Sequence, residues 1–351
     1  MKNKIVAVLL AMSMVVSPMT AMAAEQGNEN TYVSSAVDQA EWINSANIGS
    51  QDGKWNWKAS ASEYSEKTGN WWGDAEVISA PAETENNVAT YQSEDENISV
   101  DESDATEVQD ETEKPAPGTV GQYNEQISYM VNEDGETCQV GYADQNISGD
   151  VVIPSEINGL TVTGIAAGGF GGCENVTSIT LPDTIITIGS GAFVYCGITK
   201  IHIPASVTNI EENPEAIMQN GPVFGAPALE EITVDENNTE YTSEDGVLFS
   251  KDKARLLSYP AGKQANYDIP EGVKKINTFA FAFSGMVHLN FAINSMPETL
   301  EEISAGAFFV SAISTIKIPA SVNTIYRDFN GQYAPAFYDC PLLEKFEVDA
   351  E

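Results

Sequence analysis

The chain has 351 residues and a formal net charge of −36, from 52 Asp and Glu against 16 Lys and Arg. Such acidity argues against nucleic acid and anionic lipid as partners, because both need a basic face. It favours solubility and suits neutral or cationic partners.

Residues 1–23 read as an export signal. Lys2 and Lys4 precede an apolar run from Ile5 to Val16, and Ala21-Met22-Ala23 offers small residues for cleavage before Ala24. That run is too short to span a bilayer, and no later stretch is long and apolar enough to do so. The expected location is secreted or extracellular, with surface association left open. Residues 24–82 hold all 5 tryptophans: Trp42, Trp55, Trp57, Trp71 and Trp72. Their surroundings are too short and polar to bury so many indoles. Exposed indoles stack on sugar rings or fill partner pockets. The segment is therefore either a glycan, cell-wall or protein contact, or a low-order leader whose tryptophans pack on each other or on the next domain. Residues 83–118 form an acidic linker. Glu83 to Glu113 contains 12 acids and no base, the composition of a self-repelling spacer. Pro115-Ala116-Pro117-Gly118 closes it and marks the domain boundary.

Residues 119–159 read as a cap. Ile127 to Val131 and Glu136 to Tyr142 flank Asp134-Gly135, a strong hairpin turn signal, and Val151-Val152-Ile153-Pro154 completes the cap. Residues 160–351 then repeat. The pattern L-x-x-I-x-I occurs 6 times, beginning at Val176, Ile198, Leu229, Met286, Ile313 and Leu343. Each copy has a phenylalanine five or six residues upstream: Phe170, Phe193, Phe224, Phe281, Phe308 and Phe337. A motif at a base period of 22 or 23 residues means stacked units, each burying one edge against the next. The expected fold is a mainly β repeat solenoid with these phenylalanines as its structural core.

Within a unit the reading is local. In Ile198 to Ile203 the period-2 pattern turns Ile201 and Ile203 inward and His202 outward. Pro204 then stops the ladder, having no N–H to donate. Val207 and Ile210 follow as a turn or short return strand. An Ala or Gly precedes each repeat Phe except Phe224, which follows Val223. Surplus residues fall around Glu211 to Val223, Ala292 to Met296 and Tyr326 to Ala334, and read as loop expansions on one side of the stack. The largest insertion, 235–268, contains Val247-Leu248-Phe249 and Leu256-Leu257-Ser258-Tyr259 around polar Ser250 to Lys253. It reads as a β-hairpin riding on the solenoid.

The sequence resembles the BspA-like leucine-rich repeat proteins of bacterial surfaces. The matching runs are I-P-x-S-V-x-x-I at Ile203 to Ile210 and Ile318 to Ile325, and A-F-x-x-C at Ala192 to Cys196 and Ala336 to Cys340. The insertion Asp245 to Asp252 with Tyr259 to Lys263 also matches. The Asn that follows the strand in eukaryotic-type repeats is absent, with Pro standing nearby. The resemblance implies a secreted or cell-surface protein that binds host or neighbouring-cell proteins or glycans, without catalysis.

If the strands stack in register, their outward positions form a ribbon: Ser178/Thr180, Lys200/His202, Glu231/Thr233, His288/Asn290, Thr315/Lys317 and Lys345/Glu347. These positions hold three Lys and only two Glu in an otherwise acidic solenoid, which makes the ribbon a candidate ligand surface. The competing reading is that strand faces simply disfavour acids. No catalytic residue, cofactor or metal is assigned: there are 2 histidines, no H-E-x-x-H, no paired Cys spacing and no G-x-S-x-G elbow. Asp235-Glu236-Asn237-Asn238 departs from a calcium loop and reads as a solvated turn. Cys173, Cys196 and Cys340 share a slot that elsewhere holds Pro227, Ser284 or Ser311, which favours buried free thiols over disulfides. No polar cap follows the sixth strand, so the expectation is either self-association through the last repeat or a longer product that has been shortened. The alternative function is a secreted glycan-binding module acting through the Trp segment, and a hydrolase is a third reading.

Overall fold

The computed structural model describes residues 77–78, 114–211, 222–263, 266–286, 291–326, 328–329, 332–333 and 335–349. The segments read as export signal and acidic linker (the latter but for its last residues), the tryptophans, His288 and Asn290 lie outside the described residues. Among the described residues every regular element is a β-strand, and the strands wind a solenoid of about 7 turns.

The cap hairpin forms as its turn signal requires. Ile127–Val131 pairs antiparallel with Thr137–Tyr142, and Val120–Gln122 pairs antiparallel with Ile127–Val131. Gly135 takes a φ of 68°, a left-handed conformation open to glycine at no steric cost. The Asp134 carboxylate accepts from Glu136 N, Thr137 N and the Thr137 hydroxyl at 2.7–2.9 Å, fixing the turn. Thr137–Tyr142 then pairs parallel with Leu160–Ile165. This strand converts antiparallel cap into parallel stack. Val77–Ile78 lies parallel on the other edge of the cap, against Val120–Gln122.

Each coil has a long strand, a short strand and an aromatic turn. In the coil that begins at Ile198, Lys200–Ile203 buries Ile201 and Ile203 and exposes Lys200 and His202. Asn209–Ile210 is the short return strand. Short strands stack parallel from coil to coil: Leu160–Ile165 on Thr187–Ile188 on Asn209–Ile210, and farther along Lys275–Ile276 on Glu302–Ile303 on Thr324–Ile325. Long strands pair two by two: Ser148–Val152 with Asn175–Thr180, Lys200–Ile203 with Glu231–Val234, Tyr267–Asp268 with Ile293–Ser295, and Thr315–Ile318 with Lys345–Val348.

The repeat phenylalanines form the inner column expected of them. Phe170, Phe193, Phe224, Phe281 and Phe308 are buried, and Phe337 is half-buried. Phe281 and Phe308 stack with centroids 4.9 Å apart and rings 2° from parallel, and Phe308 and Phe337 stack at 4.9 Å and 10°. Each buried ring contributes on the order of 1.5–3 kcal/mol from area alone, and each stacked pair about 0.5–1.5 kcal/mol more. The small residue before each Phe has a backbone role. Phe170 N donates to Ala192 O, Phe281 N to Ala307 O and Phe308 N to Ala336 O, at 2.7–2.8 Å. Val223, the one β-branched residue in that slot, accepts from Phe193 N in the same way at 3.0 Å.

The insertion 235–268 is more than a hairpin laid on top. Val247–Ser250 and Arg255–Ser258 do pair antiparallel, as expected, with Tyr241–Glu244 as a third strand. But Arg255–Ser258 also pairs parallel with Lys275–Ile276, placing it in the stack of short strands. Tyr259 then enters the aromatic column: its N–H donates to Ala280 O at 2.7 Å and its ring stacks on Phe281 at 5.3 Å. The insertion thus contains a full coil in which Tyr replaces Phe. Tyr142 holds the same place in the cap, donating to Gly169 O at 2.6 Å. The surplus at Ala292 to Met296 likewise is not a loop. Ile293–Ser295 is the long strand of its coil, with Phe291 and Ile293 buried at period 2.

Four aromatic turns, those of Phe170, Phe193, Phe281 and Phe308, have two left-handed positions each, and that of Phe337 has one. Two residues after the ring stand Gly172, Tyr195, Phe283, Val310 and Asp339, and two residues before it Gly168, Gly191, Phe279 and Gly306, with φ from 49° to 77°. For a bulky or β-branched residue this costs about 1–3 kcal/mol. Tyr195, Phe279, Phe283 and Val310 offset it by burying their side chains in a second apolar cluster outside the solenoid interior. Tyr195 packs 5.3 Å from Phe283, and Phe279 meets Phe309 edge-on at 5.2 Å.

Candidate functional site

The long strands carry the predicted ribbon outward. Lys200 lies opposite Glu231 and His202 opposite Thr233, while Thr315 lies opposite Lys345 and Lys317 opposite Glu347. Adjacent rungs in a paired ladder are ≈ 4.8 Å apart, so neighbouring side chains touch. Lys200 Nζ is 2.8 Å from Glu231 Oε2, and His202 Nδ1 is 3.0 Å from Thr233 Oγ1. Lys345 pairs with Glu347 at 2.8 Å. Ser178 and Thr180 share the first rungs with Asp150 and Val152.

Sequence reasoning missed the acids that fold back onto this face. Asp150 Oδ1 accepts from the Thr177 and Ser178 hydroxyls at 2.8 and 2.7 Å. Asp268 accepts from the Ser295 hydroxyl at 2.6 Å and from Asn294 Nδ2 at 3.3 Å. Lys317 Nζ is 2.8 Å from Asp349 Oδ2. Four of the groups are shifted by these contacts. The Ser178 hydroxyl, then that of Thr177, holds Asp150 below the usual carboxylate range, and Ser295 does the same for Asp268. Hydrogen bonding to Glu231 raises Lys200, and hydrogen bonding to Asp349 raises Lys317. The ribbon is therefore a mixed surface of ion pairs and hydroxyls, not a basic stripe. Val152, 65 % exposed, adds one apolar contact point at its start. In the coil where His288 and Asn290 were expected, the exposed described side chains of the rung are Asn294 and Ser295. The signal for Asp150 and Asp268 lay in the sequence: Asp150 directly precedes Val151-Val152 and Asp268 directly precedes Ile269-Pro270.

A second concave feature lies between the short strands and the aromatic turns. It encloses ≈ 200 Å³ and is lined by none of the ribbon residues. Ile210 lines it from the short strand Asn209–Ile210, with Glu211, Pro222 and Tyr326 beside it. Leu248 and Leu257 of the inserted coil and Phe279 supply apolar wall.

The turn 235–238 resolves as a structural device. Asp235 Oδ1 accepts from Asn237 N at 2.8 Å, and Asn238 is buried with both ends of its amide bonded to backbone. Cys138, Cys173 and Cys196 are buried free thiols, and Cys340 is a half-buried one whose Sγ–H donates to Phe308 O at 3.1 Å.

Parallel coils, a stacked aromatic column and an outward side-chain ladder define a leucine-rich-repeat type of β-solenoid. The chain belongs to the BspA type leucine rich repeat region family, whose model matches 6 copies over residues 150–243 and 259–350, more than half of the chain. Among solved structures, a leucine-rich repeat protein from Eubacterium ventriosum is 22% identical, covering 65% of this chain and 72% of its own, with a TM-score of 0.40. A leucine rich cell surface protein from Faecalibacterium prausnitzii is 25% identical over 58% of this chain and 60% of its own, with a TM-score of 0.36. The pneumococcal vaccine antigen PcpA is 18% identical over 67% of this chain and 82% of its own, with a TM-score of 0.35. Comparison with curated proteins returns no match.

Proposed function

We propose that this chain is an exported, non-catalytic surface protein that captures extracellular protein or glycan ligands on its long-strand ribbon. The observation that supports this most is the ribbon itself. Its exposed side chains are held in fixed rungs by Lys200–Glu231, Lys317–Asp349 and the Asp150 hydroxyl contacts. Preordered side chains on a rigid scaffold lose little conformational entropy on binding. The alternating ion pairs and hydroxyls suit polar partners, as a sugar or a protein surface is. Family membership and the N-terminal export signal are consistent with that setting.

The test is a glycan array and a pull-down with extracellular-matrix proteins, using the full mature chain. Lys200→Glu, Lys317→Glu and Lys345→Glu together are expected to weaken capture of any ligand so identified. Unchanged affinity in the triple variant would retire the ribbon. The Trp segment supports a second reading, because Val77–Ile78 ties the residues just after Trp71 and Trp72 to the edge of the cap. Deleting residues 25–118 separates the two: capture survives if the ribbon binds and disappears if the tryptophans do.

A further inference from the structure

The outer face of the cap sheet is covered, and no described strand lies over it. Side chains alternate along a strand, and Ile127, Tyr129, Val131, Cys138 and Val140 belong to the solenoid core. Val120, Gln122, Ser128, Met130 and Gln139 therefore point outward. Pairing puts Val120 beside Met130, Gln122 beside Ser128 and Met130 beside Gln139. Gln139 Nε2 reaches Met130 Sδ at 3.6 Å. A sheet packed on one side normally leaves its other side wet. That holds farther along this sheet, where Thr161 and Asn209 are exposed. The cap differs: Val120 is 0% exposed and Ser128 1%, and Gln122, Met130 and Gln139 are half-buried. Val120 belongs to none of the three apolar clusters of the described residues. The strands next to Ile127–Val131 lie beside it in the sheet, not over that face.

The chain arrives at the right place to supply the cover. Val77–Ile78 runs parallel to Val120–Gln122 with Val77 opposite Val120, so the residues before Val77 come in at the Val120 end of the sheet. Trp71 and Trp72 stand six and five residues before Val77. Five residues reach up to about 17 Å, and Val120 to Gln139 spans two strand spacings, about 10 Å. We propose that the Trp71-Trp72 stretch docks on the outer face of the cap, with Val77–Ile78 as the strap that holds it there. An indole lies over Val120 and Met130, where ring and thioether attract, and its N–H donates to Ser128 or Gln139. A segment strapped to that edge acts at an effective concentration on the order of millimolar, which a second copy in dilute solution does not match. The strap has a directional weak point. Val131 N donates to Thr119 O and Tyr123 N to Ile127 O, so Val120 and Gln122 turn their backbone groups the other way, toward Val77–Ile78. In that register the Ile78 N–H meets the Val120 carbonyl and the Val77 N–H points away from the ladder. Docking makes these two indoles part of the cap, and it stands apart from the ribbon reading.

The test uses the full mature chain carrying Trp42→Phe, Trp55→Phe and Trp57→Phe, so that Trp71 and Trp72 alone fluoresce. Their emission is expected to be blue-shifted, and several-fold less quenched by acrylamide, relative to the same chain in urea. Met130→Lys puts a charge on the outer face and leaves the core untouched. It should raise quenching to the level seen in urea, with the far-UV circular dichroism of the folded chain retained. If that variant fails to fold, Ile78→Pro takes its place, because it removes the N–H that the strap gives to Val120. Ile78→Pro should also abolish hydrogen-exchange protection at the Val120 and Gln122 amides, while Val77→Pro should keep both the protection and the shielding. Indoles quenched as readily in the folded chain as in urea overturn the proposal. So does undiminished shielding in the folded Met130→Lys chain, or equal effects of the two proline variants. Shielding that is lost on dilution overturns it too, and assigns the cover to a second copy. The triple Lys→Glu ribbon variant should shield the indoles like the parent chain, so the cap face and the ribbon fail separately.

Discussion

Replacing Asn238 by alanine isolates the polar contact that seats the inserted coil on the one before it. Asn238 is 1% exposed. Its Nδ2 donates to Pro204 O and Val207 O, both at 2.9 Å, and its Oδ1 accepts from Glu240 N at 3.0 Å and Tyr241 N at 2.8 Å. The side chain thus clamps the turn leaving Glu231–Val234 to the backbone just after Lys200–Ile203. Four bonds at about 1 kcal/mol each would give ~4 kcal/mol. The Pro204 carbonyl keeps a second partner, Val207 N at 3.3 Å, so one of those losses is partial. The expected cost of Asn238→Ala is therefore about 3 kcal/mol, with the other three backbone groups each losing the bond that Asn238 supplies. Urea unfolding followed by far-UV circular dichroism measures it as a lower midpoint at unchanged slope. Asn238→Asp supplies a signature that packing loss lacks. It keeps the acceptor but turns a carboxylate oxygen toward two carbonyls, so its folded pKa is raised. The variant should therefore be most impaired at neutral pH and should recover as pH falls and the carboxyl takes up a proton. A cost under about 1 kcal/mol for Asn238→Ala, or a pH-independent Asn238→Asp, would refute this account of the clamp.

Phe308→Ala should cost about 3–5 kcal/mol in chemical denaturation, because it empties a fully buried slot between two stacked rings. Phe337→Ala, at a half-buried position with one such neighbour ring, should cost clearly less, and equal costs would contradict the column. Burial pushes the thiols of Cys138 and Cys196 up to about 12 and raises Cys173 as well. They should resist iodoacetamide at pH 8 in the folded chain, and so should Cys340, whose thiol burial also pushes up to about 12; half-buried Cys340 should be the first to react as pH is raised, as peptide mass spectrometry would show. For an acid whose folded pKa is raised, the stabilisation holds below the unfolded value and fades as pH climbs past it, so unfolding should become easier above pH 9, the ordinary thiol value. Asp134, Asp150, Asp235 and Asp268 are held low by hydrogen bonds, led by Glu136 N, the Ser178 hydroxyl, Asn237 N and the Ser295 hydroxyl respectively. Their contribution is present above the ordinary Asp value of 3.8 and is lost as pH drops through the lower folded values. Melting temperature should accordingly fall in acid below that point, and a flat profile down to pH 2 would argue against it.

Much of this molecule is legible along the chain. Period-2 aliphatics, a Phe five or six residues upstream, a Pro after most long strands and Asp134-Gly135 are local patterns. Each is tied to a local physical requirement: burial on one face, ring stacking, a missing N–H, a left-handed turn. What those patterns leave open is which residues become neighbours across coils, because that depends on where surplus residues are absorbed. Tyr259 joins the ring column because the slot asks for a large ring and a carbonyl from Ala280, not for a particular motif around it. The five residues from Ala292 to Met296 shift their rung, so that Ile293–Ser295 rather than a loop meets Tyr267–Asp268. Asp150, Asp268 and Asp349 reach the ribbon only through that stacking, and they turn an apparently basic stripe into a paired one. The cavity beside Asn277 is lined by residues of separate coils, Ile210, Leu248, Asn277 and Ser304 among them. Periodicity reports which side of a strand faces inward, while the partner across the gap is chosen by the register of separate coils, a long-range property that no single repeat encodes.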